Sequence, residues 1–147
     1  MSEIYEYWPY SDVTTDSPSI YDGVEVFLEQ YAKEHSVKRD LFCAYWLQAE
    51  VLNGGLEQFF SNSTGVLAPE AIQAINKIGL QNLAKNLEYA VTLFGRNYPR
   101  SRELRNKKLP SLVEKLESIE DEFINNLYTE SGGLEKMAKK YVSSMHS

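Results

Sequence analysis

One cysteine and two histidines are all that the 147 residues offer as thiolate or imidazole ligands. Cys43 has no second thiol to pair with, and it lies in an apolar run, so it reads as core filler in a reducing, cytoplasmic setting. His35 sits at a predicted helix end and His146 beside the C-terminus, and neither has a second ligand at metal spacing, so no metal site is expected. There is no Gly-Lys-Ser or Gly-Lys-Thr, and Gly54-Gly55 follows a helical pattern instead of a strand, which removes support for a phosphate cradle. No serine has the context of a strand-to-helix nucleophile elbow. The sequence therefore offers no catalytic residue and no cofactor. No apolar run approaches the length that spans a bilayer, and Met1 to Glu6 is acidic and aromatic where an export signal would be basic and then aliphatic. No segment alternates with period two over strand length, and repeats and low-complexity tracts are absent.

What remains is helical periodicity. It predicts an all-α protein, a compact single-domain bundle of about six or seven helices over residues 17–147, preceded by an irregular arm over residues 1–16. The arm carries Tyr5, Tyr7, Trp8 and Tyr10 around Pro9. Ser17-Pro18 opens a helix to about Glu34. A second runs from about Val37 to Leu52, with Leu41, Phe42, Tyr45, Trp46, Ala49 and Leu52 at helical spacing; its apolar circumference predicts the most buried position. Asn53-Gly54-Gly55 stops it, and a short helix from Leu56 to Ser61 leads to a turn at Asn62 to Gly65. Pro69-Glu70 starts a helix that Gly79 divides from the next, which Gly95 ends. In residues 96 to 110, Pro99 and Pro110 bracket a short basic segment that can be helical between them, and this stretch is expected to be the main surface loop. Ser111 is expected to cap a helix to about Tyr128, with Leu116, Ile119, Phe123 and Leu127 inward. A final helix follows Ser131-Gly132-Gly133.

The net charge of −6 is unevenly spread. Residues 1 to 35 hold eight acids and one lysine, residues 96 to 108 six bases and one acid, and residues 111 to 130 six acids and one lysine. An acidic surface of this kind argues against direct nucleic-acid binding, which needs clustered Lys and Arg. Two rows of acids stand out. Asp22, Glu25 and Glu29 are spaced i, i+3, i+7, and Glu114, Glu117 and Asp121 repeat that spacing. The second row falls opposite the Leu116, Ile119 and Phe123 stripe, and so should face solvent over about 10 Å of helix. Successive acids about 5–6 Å apart have the spacing of phosphates along a nucleic-acid strand, so such a face could present a basic protein with a DNA-like surface.

A polar concentration of Glu50, Asn53, Glu57, Gln58 and Asn62 interrupts an apolar region. Gln58 and Asn62 share a helical face, and Glu50 lies one turn before the glycine break. These groups either line a cleft or hold a tight helix-to-helix turn, the latter being the usual work of amides and glycine stops.

The run Asn53, Gly54, Gly55, Leu56, Glu57, Gln58, Phe59, Phe60, Ser61, Asn62, Ser63, Thr64, Gly65 resembles the hallmark of a small bacterial domain-of-unknown-function family that includes the DNA-mimic protein nineteen. The resemblance extends over about residues 20 to 128, more loosely through Pro99 and Arg102 to Arg105. It implies an all-α domain without known enzymatic activity and a homodimer as an available state, while mimicry of DNA toward a transcription-factor partner belongs to that one member. The motif residues themselves carry none of the acids that mimicry would use, and so read as structural.

Three functions follow as expectations. In the first, a non-enzymatic interaction protein offers Asp22, Glu25, Glu29, Glu114, Glu117 and Asp121 to a basic partner such as a DNA-binding protein, with no membrane involved. In the second, an immunity or toxin-neutralising module uses the aromatic arm and the Arg96 to Lys108 segment. In the third, an uncharacterised enzyme places Glu50, Gln58 and Asn62 in a cleft. The first requires that both acid rows face outward together as one continuous negative surface and that the arginine-rich segment does not neutralise them.

Overall fold

The computed structural model describes Glu25, Leu28, Glu29 and residues 36–146. The expected aromatic arm, most of the first predicted helix, Asp22 and His35 lie outside the described residues. Within them the protein is all-α, without a strand.

Five helices of more than ten residues and one short helix make up the described chain: α1 (Ser36–Ser61), α2 (Ala68–Ile78), α3 (Gln81–Thr92), α4 (Arg102–Lys108), α5 (Val113–Thr129) and α6 (Leu134–His146). The count of long helices is thus five instead of the six or seven expected. One reason is local, since the two helices expected on either side of Gly54-Gly55 form one continuous element with a kink at those residues. Short 3-10 turns at Ser63–Leu67, Leu109–Ser111 and Glu130–Gly132 join the rest.

As its composition predicts, α1 is the hub, packing against α2, α4, α5 and α6. Leu41, Phe42, Cys43, Ala44, Leu47 and Val51 are buried there. Tyr45 and Trp46 are only partly buried, and Leu52, expected inward, is 42% exposed. A helix apolar around most of its circumference has no single stripe, so spacing could not decide which side faces out. Phe59, Phe60, Phe94 and Tyr98 form a chain of ring contacts with centroids 4.9–6.2 Å apart. This ties the end of α1 to the segment after α3.

Two predicted boundaries have clear physical causes. Gly79 adopts φ 110° and closes α2, its N–H donating to Ile75 O at 3.0 Å while Leu80 N–H reaches the same carbonyl. That left-handed position suits glycine alone at little cost. Pro69 occupies the first turn of α2, where a missing N–H leaves nothing unsatisfied. The expected Ser111 cap is absent. Its hydroxyl donates instead to Lys108 O at 2.8 Å, and α5 begins at Val113 without a side-chain cap. On α5, Leu116, Phe123 and Leu127 are buried as predicted, and Ile119 partly so.

At the far end of α1, Asp40 is 6% exposed and accepts the Tyr141 hydroxyl at 2.7 Å, with Lys77 Nζ at 3.8 Å. This pins α6 to α1. No helix among the described residues is long and apolar enough to cross a membrane.

Candidate functional site

The run from Asn53 to Gly65 builds a break and restart of α1. Gly54 (φ −149°, ψ 19°) leaves the helix, and Gly55 (φ 79°, ψ −177°) turns the chain through a conformation that a side chain rarely adopts. A Cβ at Gly55 would collide with the Glu120 carboxylate. That carboxylate accepts the Leu56 N–H at 2.8 Å, so an acid on α5 caps the N-terminus of the restarted turns. Around the break the polar residues satisfy one another. Glu50 accepts from Asn62 Nδ2 at 2.6 Å, from the Thr64 hydroxyl at 3.1 Å and from Gln58 Nε2 at 3.5 Å. Asn53 Nδ2 donates to Gln58 Oε1 at 3.2 Å. Both carboxylate oxygens of Glu50 and the amides of Gln58 and Asn62 are thereby engaged. The cleft considered for an enzyme is a hydrogen-bonded clasp, which is the structural alternative weighed for these residues.

The C-terminus of the same restarted segment is held by arginines. Arg105 is 1% exposed and spends four of its five N–H donors on backbone carbonyls: Nε on Phe60 O at 2.9 Å, Nη2 on Asn62 O at 2.8 Å, and Nη1 on Arg100 O at 2.7 Å and Pro99 O at 3.2 Å. Burial pulls its pKa below the ordinary arginine value, but arginine starts so high that the charge persists. Its compensation is the negative end of a helix rather than a carboxylate. Gly65 makes room for it, since a Cβ there would meet Arg105 Nε at 2.9 Å and Phe59 O at 2.8 Å. Arg102 Nε donates to Ser61 O at 2.7 Å. Arg100 donates to Val66 O at 2.6 Å and grips both oxygens of Glu70 at 2.6 and 2.9 Å, a pairing that raises its pKa. The Tyr98 hydroxyl donates to Gly65 O at 2.6 Å, and Lys108 Nζ to Phe94 O at 2.8 Å.

Between Pro99 and Pro110 the basic segment is helical and mostly at the surface, with Arg96, Arg102, Lys107 and Lys108 exposed and Arg105 buried. Arg100, Arg102, Arg105 and Lys108 donate to backbone carbonyls, and Lys107 pairs with its neighbour Glu103 at 3.5 Å. The unsatisfied carbonyls ending α1 and its following turn engage three of these cations and draw Arg105 inside.

Glu114, Glu117 and Asp121 lie along α5, all exposed. None has a hydrogen-bond or ion-pair partner among the described residues. Glu25 and Glu29 are exposed helical residues, and Asp22 lies outside the described part. The other acids of the 111–130 block have internal duties. Besides Glu120, Glu122 accepts from Asn86 Nδ2 at 2.7 Å. Glu130 accepts both Asn82 N–H and Leu83 N–H at 2.8 Å, capping α3 from 47–48 residues away. Neither cap is signalled locally in the sequence; only Leu80, which has no side-chain acceptor to cap α3, leaves room for one.

Among the described residues no group of three or more His, Cys, Asp or Glu is placed to hold a metal ion. The arrangement can present carboxylates and exclude solvent from a clasp. It brings together no nucleophile, base and oxyanion pocket.

A family model described as DMP19-like protein matches residues 28–145. Comparison with curated proteins and with solved structures yields no match.

Proposed function

Since the chain belongs to the DMP19-like protein family, we propose that it is a non-enzymatic interaction protein that presents an acidic helical face to a basic partner, a DNA-binding protein held as if by DNA. One observation carries this reading: Glu114, Glu117 and Asp121 stand exposed in a row on α5 with no side-chain partner among the described residues, while Arg100, Arg102, Arg105 and Lys108 of the basic segment donate to backbone carbonyls elsewhere. A helix rise of about 1.5 Å per residue spaces the three over about 10 Å, and carboxylates so placed repel one another in the free protein. A cationic partner relieves that repulsion, which is the physical reward for binding. Glu25 and Glu29 are exposed helical acids as well.

In the reading through the basic segment, Arg105 is buried and holds the end of α1, Arg96, Arg102, Lys107 and Lys108 are exposed, and the aromatic arm lies outside the described residues. The reading through a Glu50, Gln58 and Asn62 cleft loses its support, since those groups are mutually bonded.

Displacement from DNA tests the proposal. Basic proteins of a cytosolic extract are loaded on immobilised duplex DNA and challenged with the chain or with the variant E114K/E117K/D121K. The proposal expects the chain to release a discrete protein and the variant to release none. Equal release by both, or release unchanged by added salt, contradicts it.

A further inference from the structure

On α5 the acid row does not stop at Asp121. At 100° per residue, position 128 falls within the arc that positions 114, 117 and 121 occupy, so Tyr128 continues the row about two turns further on, about 10 Å along the helix. Tyr128 is 59% exposed, and Leu52 of α1 is 42% exposed. Both line a groove of about 210 Å³ together with Gln48, Leu127, Leu134 and Glu135. An engineered cavity of about 150 Å³ already accommodates benzene, so the groove has room for one aromatic side chain. The amide oxygen of Gln48 is buried without a hydrogen-bond partner. A buried acceptor left in that state is costly unless a donor arrives.

We propose that this groove is the anchor pocket of the acidic face and takes a tryptophan or tyrosine from a basic segment of the partner protein. The inference rests on the acidic-face reading and adds to it a chemical class of occupant. Charge complementarity chooses that class: the groove opens at the end of three unpaired carboxylates, with Glu135 on its rim. Tryptophan and tyrosine combine an apolar body with an N–H or O–H donor, which matches an apolar lining that contains an unsatisfied acceptor. Lys136 runs beside Gly132, which lines the groove. The lysines or arginines of the partner segment therefore lie along α5, toward Glu114, and the aromatic residue at the groove. Buried aromatic anchors flanked by complementary charge are the usual source of affinity in such contacts.

The test uses the full chain and two labelled peptides of about ten residues, both rich in lysine, one carrying a single tryptophan at its end and the other alanine there. Fluorescence anisotropy should give an affinity for the tryptophan peptide about ten-fold above that for the alanine peptide. The variants L52S and Y128S, at exposed positions, should bring the tryptophan peptide down to the alanine level and leave the alanine peptide and the melting temperature unchanged. E117K/D121K should weaken both peptides. Equal binding of the two peptides by the native chain overturns the anchor pocket while leaving the acidic face standing. Loss of neither peptide in E117K/D121K overturns the acidic face itself. A gain in tryptophan-peptide affinity in the full-length variant W8A would assign the groove to the chain's own aromatic arm and overturn the proposal.

Discussion

Replacing Arg105 by methionine removes a guanidinium of which only 1% is exposed and leaves the carbonyls of Phe60, Asn62, Pro99 and Arg100 without its donors. A hydrogen bond to a charged group contributes about 1.5–3 kcal/mol, and a buried carbonyl deprived of its donor costs about 1–3 kcal/mol. Four such bonds cannot be added in full, because they share one side chain and because the guanidinium itself was costly to bury. A net loss of about 3–5 kcal/mol is expected, a large share of the roughly 5–15 kcal/mol that holds a typical domain together. Lysine keeps the charge but cannot fork to carbonyls on two sides, so R105K should lose about half as much. Urea unfolding followed by far-UV circular dichroism measures both variants. The midpoint should fall with little change in slope, since the surface exposed on unfolding stays the same. A loss below about 1 kcal/mol for R105M, or equal losses for R105M and R105K, would refute the idea that a buried charge caps the end of α1.

Other perturbations bear on the same architecture. Gly55→Ala forces a side chain into a positive-φ conformation and against the Glu120 carboxylate; about 2–4 kcal/mol of stability should be lost, measured by the same unfolding experiment. Glu130→Gln keeps the size of the side chain but removes the charge that caps α3 across 47–48 residues; about 1 kcal/mol should go, and amide exchange of Asn82 and Leu83 should quicken. Burial raises the pKa of Tyr98 and of Tyr141, with the Asp40 bond adding to the second. The unfolded chain ionises its tyrosines near pH 10 while these two stay neutral in the fold, so their contribution is complete below pH 10 and declines above it. The decline should approach about 1.4 kcal/mol per pH unit for each tyrosine, and Y98F and Y141F should each flatten the pH profile of unfolding between pH 10 and 11.

Local signals were readable where neighbours in sequence are neighbours in space. The stripes of α2, α3 and α5, the proline entering α2 and the glycine closing it follow from period and backbone freedom alone. The Asn53 to Gly65 run also announced itself as a structural turn, and Glu50, Gln58 and Asn62 do hold it. Partners distant in sequence were not legible. Glu120 meets Leu56 across 64 positions and Arg105 meets Phe60 across 45, and no periodicity encodes such a meeting. In the basic block charge predicted exposure at Arg96, Arg102, Lys107 and Lys108. Arg105 is the exception, because a helix end offers carbonyls that compete with water for an arginine, and only the fold brings the two together. On α1 the failure was different: apolar residues all round left Leu52 assigned inward, where the structure exposes it beside Tyr128.

We propose that the partnerless carboxylates of α5 make a working negative surface. Its most direct measurement is the affinity of the chain for the protein it displaces from DNA, taken at about 0.05 M and about 0.5 M salt, where the screening length falls from roughly 14 to 4 Å. A loss of about a hundred-fold across that range, with E114K/E117K/D121K already weak at the lower salt, is the predicted result. An affinity indifferent to both salt and the three reversals contradicts it.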